Sequence, residues 1–251
     1  MKSKLISVLK FLLPLLFWLS IWDLISLFIN DSFILPGVLT TIKALVEIII
    51  SKTFFSTVFT TLLRVLLGLG LGIVFGIAFA ILSHHFTVAN TIISPMISVI
   101  KSTPVASFII LLWATLSGYS IPIFIAFIMV VPLIWQNMLD GYSYIDKNLS
   151  EICDVFEFSY IKRIKYLILP SLSRYLVPAI ITSVGLAWKA EIAAEIISLT
   201  DKSIGAYINF AKLDSEIDTV FAWTVIVIIF SLVLEKVTKS LLRRYKNEPQ
   251  A

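Results

Sequence analysis

Apolar residues along this chain gather into long blocks at 5–29, 55–82, 88–116, 121–139, 176–199 and 220–234, parted by short polar stretches. A helix needs about 20 consecutive apolar residues to cross the hydrocarbon core of a bilayer, so blocks of this size predict membrane-spanning helices. The expected fold is all-α and polytopic, with about six spans. The first block is too long for a signal-peptide core and lacks a small-x-small cleavage site, so it is expected to remain as a span. Pro14 and Asp23 interrupt it, with Asp23 expected to snorkel towards headgroups or to pair inside the bundle. Pro36-Gly37 is a turn signal, and 38–50 has apolar residues at helical spacing with Lys43 and Glu47 at i, i+4. That pattern predicts an amphipathic helix on the outer interface, with a buried, kinked span as the alternative.

The block at 88–116 is long for one straight helix. Lys101-Ser102-Thr103-Pro104 breaks it near its middle, and backbone freed at that depth survives only against protein or water. Ser117-Gly118-Tyr119-Ser120 reads as a short turn. Pro122 falls in the first turn of the next span, where proline is tolerated, and Pro132 lies inside it. Residues 200–218, which contain Ser203-Ile204-Gly205, read as a polar loop.

Two features inside the spans bear on packing and chemistry. Gly68, Gly72, Gly76 and Ala80 recur every four residues and form a smooth stripe suited to close helix packing. Such a stripe also suits a self-complementary contact between two copies. The spans carry charge as well: Arg64, Lys101, and the cluster Trp188-Lys189-Ala190-Glu191 with Glu195. Glu191 and Glu195 share a face and Lys189 lies on another. Embedded charges are costly and are expected to pair or to face water, so Arg64, Lys101, Thr103, Trp188, Lys189, Glu191 and Glu195 are the candidate lining of a solute path.

The stretch 147–170 is polar yet patterned. Asn148 followed by Glu151 has the form of a capping box. Ile152, Val155 and Phe156 then make one apolar stripe, with Glu151, Asp154 and Glu157 off it. Ser159 is placed to cap a second short helix whose late cations Lys162, Arg163 and Lys165 suit the helix dipole, and Pro170 is expected to end it. Two short helices lying across the spans would give a soluble partner a surface to grip.

Composition excludes most alternatives. With 59% hydrophobic and 14% charged residues in 251, the chain is not a solvated soluble domain and has no room for a soluble catalytic one. The single cysteine, Cys153, excludes an internal disulfide and a cysteine metal cluster. His84-His85 has no third ligand nearby and reads as a polar helix end, so no metal is expected. The net charge of +4 matters less than its distribution. With the amino terminus inside, thirteen of the twenty Lys and Arg residues fall on the cytoplasmic side, four fall outside, and Arg64, Lys101 and Lys189 are embedded. That bias predicts a multi-pass protein of the cytoplasmic membrane with both termini, and 147–170, in the cytoplasm.

The 147–170 stretch resembles the cytoplasmic loop of the membrane subunits of ABC-type importers, which reads Glu-Ala-Ala, three residues, Gly, nine residues, Ile-x-Leu-Pro. Glu151, Leu169 and Pro170 match in register. Ile152 and Cys153 stand where that loop has alanines, Glu157 where it has glycine, and Leu167 where it has isoleucine. Thr60 to Gly68, Lys101 to Ser107, and Ala194-Glu195 resemble core elements of the same family, although a small residue is usual where Glu191 stands. The resemblance covers about residues 55–240 and is to permeases for sulfonates, taurine, nitrate and related solutes. It implies a type I importer-like permease fold. By it, 1–54 is an N-terminal span plus interfacial helix, 55–240 the core permease domain with coupling helices at 147–170, and 241–251 a basic tail.

The resemblance further implies that Glu151, Ile152, Cys153, Asp154, Val155, Phe156, Glu157, Leu169 and Pro170 contact an ATPase subunit. The implied assembly is two copies of this chain, two ATPase subunits and an extracytoplasmic solute-binding protein, with lipid around it and no nucleic acid. No Gly-x-x-x-x-Gly-Lys-Ser/Thr stretch is present, so ATP and Mg are expected on the ATPase and no cofactor on this chain, which is expected not to be an enzyme. Three embedded cations against two carboxylates lean towards an anionic or zwitterionic solute, while Glu191 would suit an amine-bearing one such as a thiamine precursor. The alternative is an ion-coupled secondary transporter using Glu191 and Glu195, which would leave 147–170 without a purpose.

Overall fold

A computed structural model describes residues 2–116 and 118–246, with side chains from 12 to 242. Ser117 of the expected turn and residues 247–251 of the basic tail lie outside the described residues, as do the side chains of Lys2, Lys4, Lys10, Arg243, Arg244 and Lys246. Every regular element among the described residues is helical: α1 (Lys2–Ile29), α2 (Val38–Ile50), α3 (Phe54–His85), α4 (Thr87–Ser102), α5 (Val105–Trp113), α6 (Ser120–Ser143), α7 (Lys147–Val155), α8 (Tyr160–Arg163), α9 (Leu169–Ser198), α10 (Ile204–Leu213) and α11 (Ile217–Lys246). Five stretches are long and apolar enough to cross a membrane, namely Leu12–Ile29, Phe54–His85, Ser120–Ser143, Tyr160–Ser198 and Ile217–Leu242. The pair α4 and α5 is bent by 99° at the Thr103-Pro104 break, and counting it as one broken span brings the number to six. This is an all-α polytopic fold.

The core is the packing of α3 and α9 on α6, with α10 and α11 against α9 and α2 against α11. Small residues decide how closely α3 and α6 approach. A Cβ added at Gly68 would lie 2.6 Å from the Ala126 Cβ, one at Gly72 2.6 Å from the Val130 Cβ, and one at Gly76 2.7 Å from the Ile134 Cβ. Both series advance by four residues in the same direction, so the two helices run parallel with their backbones nearly touching. The stripe is therefore filled within one chain. The expectation that it serves a self-complementary contact between copies is corrected: α6 already occupies it, and Ala80 is fully buried too.

Helix α1 stays largely uncovered and is tied down by polar contacts at one end. Asp23 is exposed and makes its contact with the start of the next helix. Its Oδ1 accepts the Val38 N–H at 3.1 Å and so caps α2, whose N-cap residue Gly37 has no side chain to do it. The Trp22 indole donates to the Pro36 carbonyl at 3.0 Å and Ser26 Oγ to the Leu35 carbonyl at 2.9 Å. Pro14 sits inside an unbroken helix.

Two further expectations are corrected. Pro170 does not end a helix: α8 passes through a π-helical turn, Ile164–Ile168, into α9, giving one continuous stretch from Tyr160 to Ser198. Proline lacks only an N–H, and at the first turn after a change of hydrogen-bond register that loss is tolerated. The second short helix is thus the root of a span, not a separate crosswise piece. Residues 200–218 are not a polar loop throughout, since they hold α10, whose Ile204, Ala206 and Ala211 are buried.

Candidate functional site

At one end of the bundle α7 forms an elbow between α6 and the Tyr160–Ser198 helix. Its cap is Asp146, whose carboxylate accepts the Asn148 N–H at 2.8 Å, so the Asn148–Glu151 capping box is corrected to a cap two residues earlier. Aspartate accepts as well as asparagine, and Asp146 is itself the signal that marks the true start. Ser159 does take the N-cap position of α8, but its side chain makes no capping bond. The helix closes with the Phe158 N–H on the Cys153 carbonyl at 2.9 Å and the Glu157 N–H on the Asp154 carbonyl at 3.1 Å. That closure needs a left-handed residue, and Glu157 supplies it at φ 47°. Arg163 clamps the elbow to the long helix, with Nη1 2.6 Å from Asp154 Oδ1 and Nη2 donating to Ser150 Oγ.

The sidedness of α7 is inverted relative to an ordinary amphipathic loop helix. Cys153 is buried at 7% exposure, while Ile152, Val155 and Phe156 are 48%, 78% and 72% exposed. The apolar stripe faces away from the rest of the chain. Glu151, Asp154 and Glu157 are exposed beside it, as is Leu169, and Pro170 is half-buried.

At the other end of the same long helix is a sealed polar lock. Glu195 in the last turn of α9 accepts from Arg64 Nη1 at 2.9 Å and from Thr61 Oγ1 at 3.0 Å, and its Oε2 accepts the Gly205 N–H at 3.1 Å. Arg64 Nη2 donates to the Asp201 carbonyl at 3.1 Å, and the guanidinium carbon lies 4.6 Å from the centre of the Tyr119 ring. Thr61 Oγ1 also accepts the Ile204 N–H at 3.1 Å, and Ser203 Oγ accepts the Ala206 N–H at 2.9 Å. The free N–H groups that open α10 are thus met by a carboxylate and two hydroxyls, where the helix dipole favours negative charge. Gly205 permits this approach, because a Cβ there would lie 2.3 Å from the Glu195 Cβ. Sequence reasoning missed Thr61, Gly205 and Tyr119 as parts of one unit, since their partners are far apart in the chain.

A cleft of about 520 Å³ lies between the α4–α5 break, α6 and α9. Lys101, Ser102, Thr103 and Gln136 give it polar groups, and Met129, Pro132, Leu133 and Leu186 an apolar wall. Of the residues expected on a solute path, Lys101 and Thr103 line this cleft. Arg64, Trp188, Glu191 and Glu195 are sealed in the core, and Lys189 is exposed on a different face of α9. Trp188 Nε1 donates to the Val227 carbonyl at 3.1 Å, binding α9 to α11. Neither carboxylate oxygen of Glu191 has a hydrogen-bond partner among the described residues. No group of three or more His, Cys, Asp or Glu side chains among the described residues is placed to hold a metal.

Residues 72–247 match the family of binding-protein-dependent transport system inner membrane components. Over 235 residues the chain is 25% identical to a putative ABC transporter permease protein of Methanocaldococcus jannaschii, covering 91% of this chain and 87% of that protein. It is 27% identical over 228 residues to a putative aliphatic sulfonates transport permease protein of Bacillus subtilis, covering 90% and 80%.

Proposed function

Because this chain belongs to the family of binding-protein-dependent transport system inner membrane components, and so is an ABC-type transport permease component and not an enzyme, we propose that it is the membrane subunit of an ATP-driven importer for a small solute. The observation that carries this reading is the outward apolar stripe of α7, Ile152, Val155 and Phe156. An apolar patch on a short helix, rimmed by carboxylates and clamped at its base, is the form of a surface awaiting a protein partner. In this reading the partner is an ATPase subunit, which binds the ATP and Mg. In this reading the elbow and both termini lie in the cytoplasm, the side that an excess of Lys and Arg favours.

Motion follows from the connections. Closure of an ATPase pair on ATP displaces α7, the Arg163 clamp passes the displacement to the root of the Tyr160–Ser198 helix, and the helix carries it to the Glu195 lock. Access alternates between the two sides as each nucleotide state favours one set of contacts. An extracytoplasmic binding protein delivers the solute, of the sulfonate, taurine, nitrate or thiamine-precursor class. A second copy of the chain completes the assembly, on the strength of the family and not of the glycine stripe. The alternative, ion coupling through Glu191 and Glu195, is weakened by the engagement of Glu195 with Arg64, Thr61 and Gly205.

The test is the double variant Val155→Asp, Phe156→Ser, with Phe33→Ser, exposed elsewhere on the chain, as control. The double variant is expected to stay folded in detergent yet to lose ATPase co-purification and ATP-dependent uptake by about thirtyfold, the effect of one lost hot-spot contact of about 2 kcal/mol. The control is expected to keep both. Full co-purification and uptake in the double variant would remove the elbow from the coupling role.

A further inference from the structure

We infer that Glu191 is a second seat for Arg64: when the ATPase drives the bundle out of its present arrangement, the guanidinium passes from Glu195 to Glu191, one turn back along α9. The inference rests on reading the chain as an ATP-driven permease and deepens it, since it names the positioning residue that receives the charge of the lock.

Two groups in the sealed core lack hydrogen bonds. Glu191 is 0% exposed, and neither of its carboxylate oxygens meets a donor among the described residues. Arg64 is 1% exposed, and its Nε meets no acceptor among them. Buried polar groups are nearly always satisfied, and an unpaired buried carboxylate is among the costliest features a core can carry. The two orphans share a neighbourhood, because Glu195 and Arg64 are the charged groups whose fields act on Glu191. Lys189 is turned elsewhere, where its charge acts on Glu235 of α11.

Glu191 and Glu195 lie four residues apart on one face of α9, which separates them by about 6 Å along the axis. That distance is comparable with the one-turn step by which one packed element ratchets past another. The long Arg64 side chain spans part of it, and a slide or tilt of α9 against α3 supplies the rest. The two seats are unequal in the present arrangement: Glu195 has Arg64, Thr61 and the Gly205 N–H, and Glu191 has no donor. On losing Arg64, Glu195 keeps the Gly205 N–H at the start of α10, where the helix dipole favours negative charge. Glu191 gains its first donors. The guanidinium is never without a carboxylate, which is the condition for moving a charge where there is no water.

The change of seat has a consequence for access. Arg64 Nη2 also holds the Asp201 carbonyl at 3.1 Å, and its guanidinium covers the Tyr119 ring. Both contacts are given up with Glu195, which frees the turn joining α9 to α10 and Tyr119 at the start of α6. This end of the bundle then opens.

The experiment uses the purified permease with its co-purified ATPase and a reporter thiol, Ser198→Cys, 4% exposed in the last turn of α9. Cys153, buried and the chain's single cysteine, gives the background in the parent. Labelling by a water-soluble methanethiosulfonate is expected to be slow without nucleotide and about tenfold faster with ATP and Mg, as the populations shift. Glu191→Gln is expected to abolish that rise, with ATPase co-purification unchanged and the melting temperature equal to the parent's or higher. Glu191→Asp keeps the charge and is expected to restore the rise. A merely structural Glu191 would do the reverse, lowering the melting temperature on Glu191→Gln and leaving the rise intact. Fast labelling without nucleotide, no rise with ATP, a rise that survives Glu191→Gln, no rise with Glu191→Asp, or a lower melting temperature in Glu191→Gln would each overturn the inference. Any of these in a complex that retains its ATPase sinks this inference alone. A permease whose intact elbow brings no ATPase sinks the reading beneath it.

Discussion

Arg64 and Glu195 meet at 2.9 Å with side chains 2% and 0% exposed, whereas Arg163 and Asp154 meet at 2.6 Å with 34% and 63% exposed. Both pairs belong to the same continuous helix, one at its first turn and one at its last, roughly 50 Å apart at 1.5 Å rise per residue. The chemistry is the same and the surroundings differ. In water the elbow pair is worth about 0–1 kcal/mol and is screened by salt, so it positions α7 without freezing it. In the dry lock neither charge has water to fall back on, and each depends on the other and on Thr61, Asp201 and Gly205. The elbow is thus a place where the chain can yield to a partner, and the lock is a place where it cannot.

Removing the charge at the lock is the severest way to test that contrast. Glu195→Gln keeps the shape and removes the carboxylate that Arg64 contacts, leaving Glu191, which makes no hydrogen bond to it, as the buried negative charge nearby, at an expected loss of about 3–5 kcal/mol. Thermal unfolding of the detergent-purified protein, followed by size-exclusion recovery, should show it as a large fall in the folded fraction. Adding Arg64→Met to Glu195→Gln is expected to recover part of the loss, because the stranded charge is gone. An unchanged melting temperature in the single variant would mean that water reaches the pair and that the two ends of the helix are less different than their burial implies.

A steric change at the same place should do less. Gly205→Ala sets a methyl group 2.3 Å from the Glu195 Cβ and 2.5 Å from the Ile196 backbone nitrogen, so α10 must shift away from α9. Overpacking of this kind costs about 1–3 kcal/mol. Gly70→Ala, at a position with nothing within 4 Å of the added carbon, is the matched control and is expected to be neutral or slightly stabilising in the same melting assay. Equal behaviour of the two alanines would show that α10 is free to move, and the lock would then be a hinge.

What could be read from the sequence divides along the same line. The elbow is local in sequence, so the apolar stripe at Ile152, Val155 and Phe156 and the start of α8 at Ser159 were visible from spacing, as were the bounds of α2 and the break before Pro104. Spacing does not give direction, however. A stripe says that one face is apolar, not that it turns outward while Cys153 turns in. The lock joins residues more than a hundred positions apart, Thr61 and Arg64 with Glu195, and no periodicity encodes that pairing. Arg64, Glu191 and Glu195 were legible as embedded charges, but a charged residue facing a path and one facing a partner have the same sequence signature. Helix α10 is mostly apolar, with Ile204, Ala206, Tyr207, Ile208 and Phe210 in ten residues, but it is too short to cross a membrane and polar residues flank it on both sides, so it read as part of a loop.

Glu157 offers the smallest effect and the sharpest sign. It holds φ 47°, a conformation that costs a residue with a Cβ about 1–2 kcal/mol relative to the right-handed region. Glycine removes that cost but loses about 0.5–1 kcal/mol of chain entropy on folding, so Glu157→Gly is expected to stabilise by about 0.5–1 kcal/mol net. The melting temperature of the detergent-purified protein should rise by about 2 °C. At Gly205 a side chain is excluded by the lock, and at Glu157 one is carried against the backbone's preference by a turn that water surrounds. Should Glu157→Gly instead lower the melting temperature, its carboxylate would have to be holding the turn through a contact that outweighs the strain, and the elbow would be more rigid than its exposed ion pair implies.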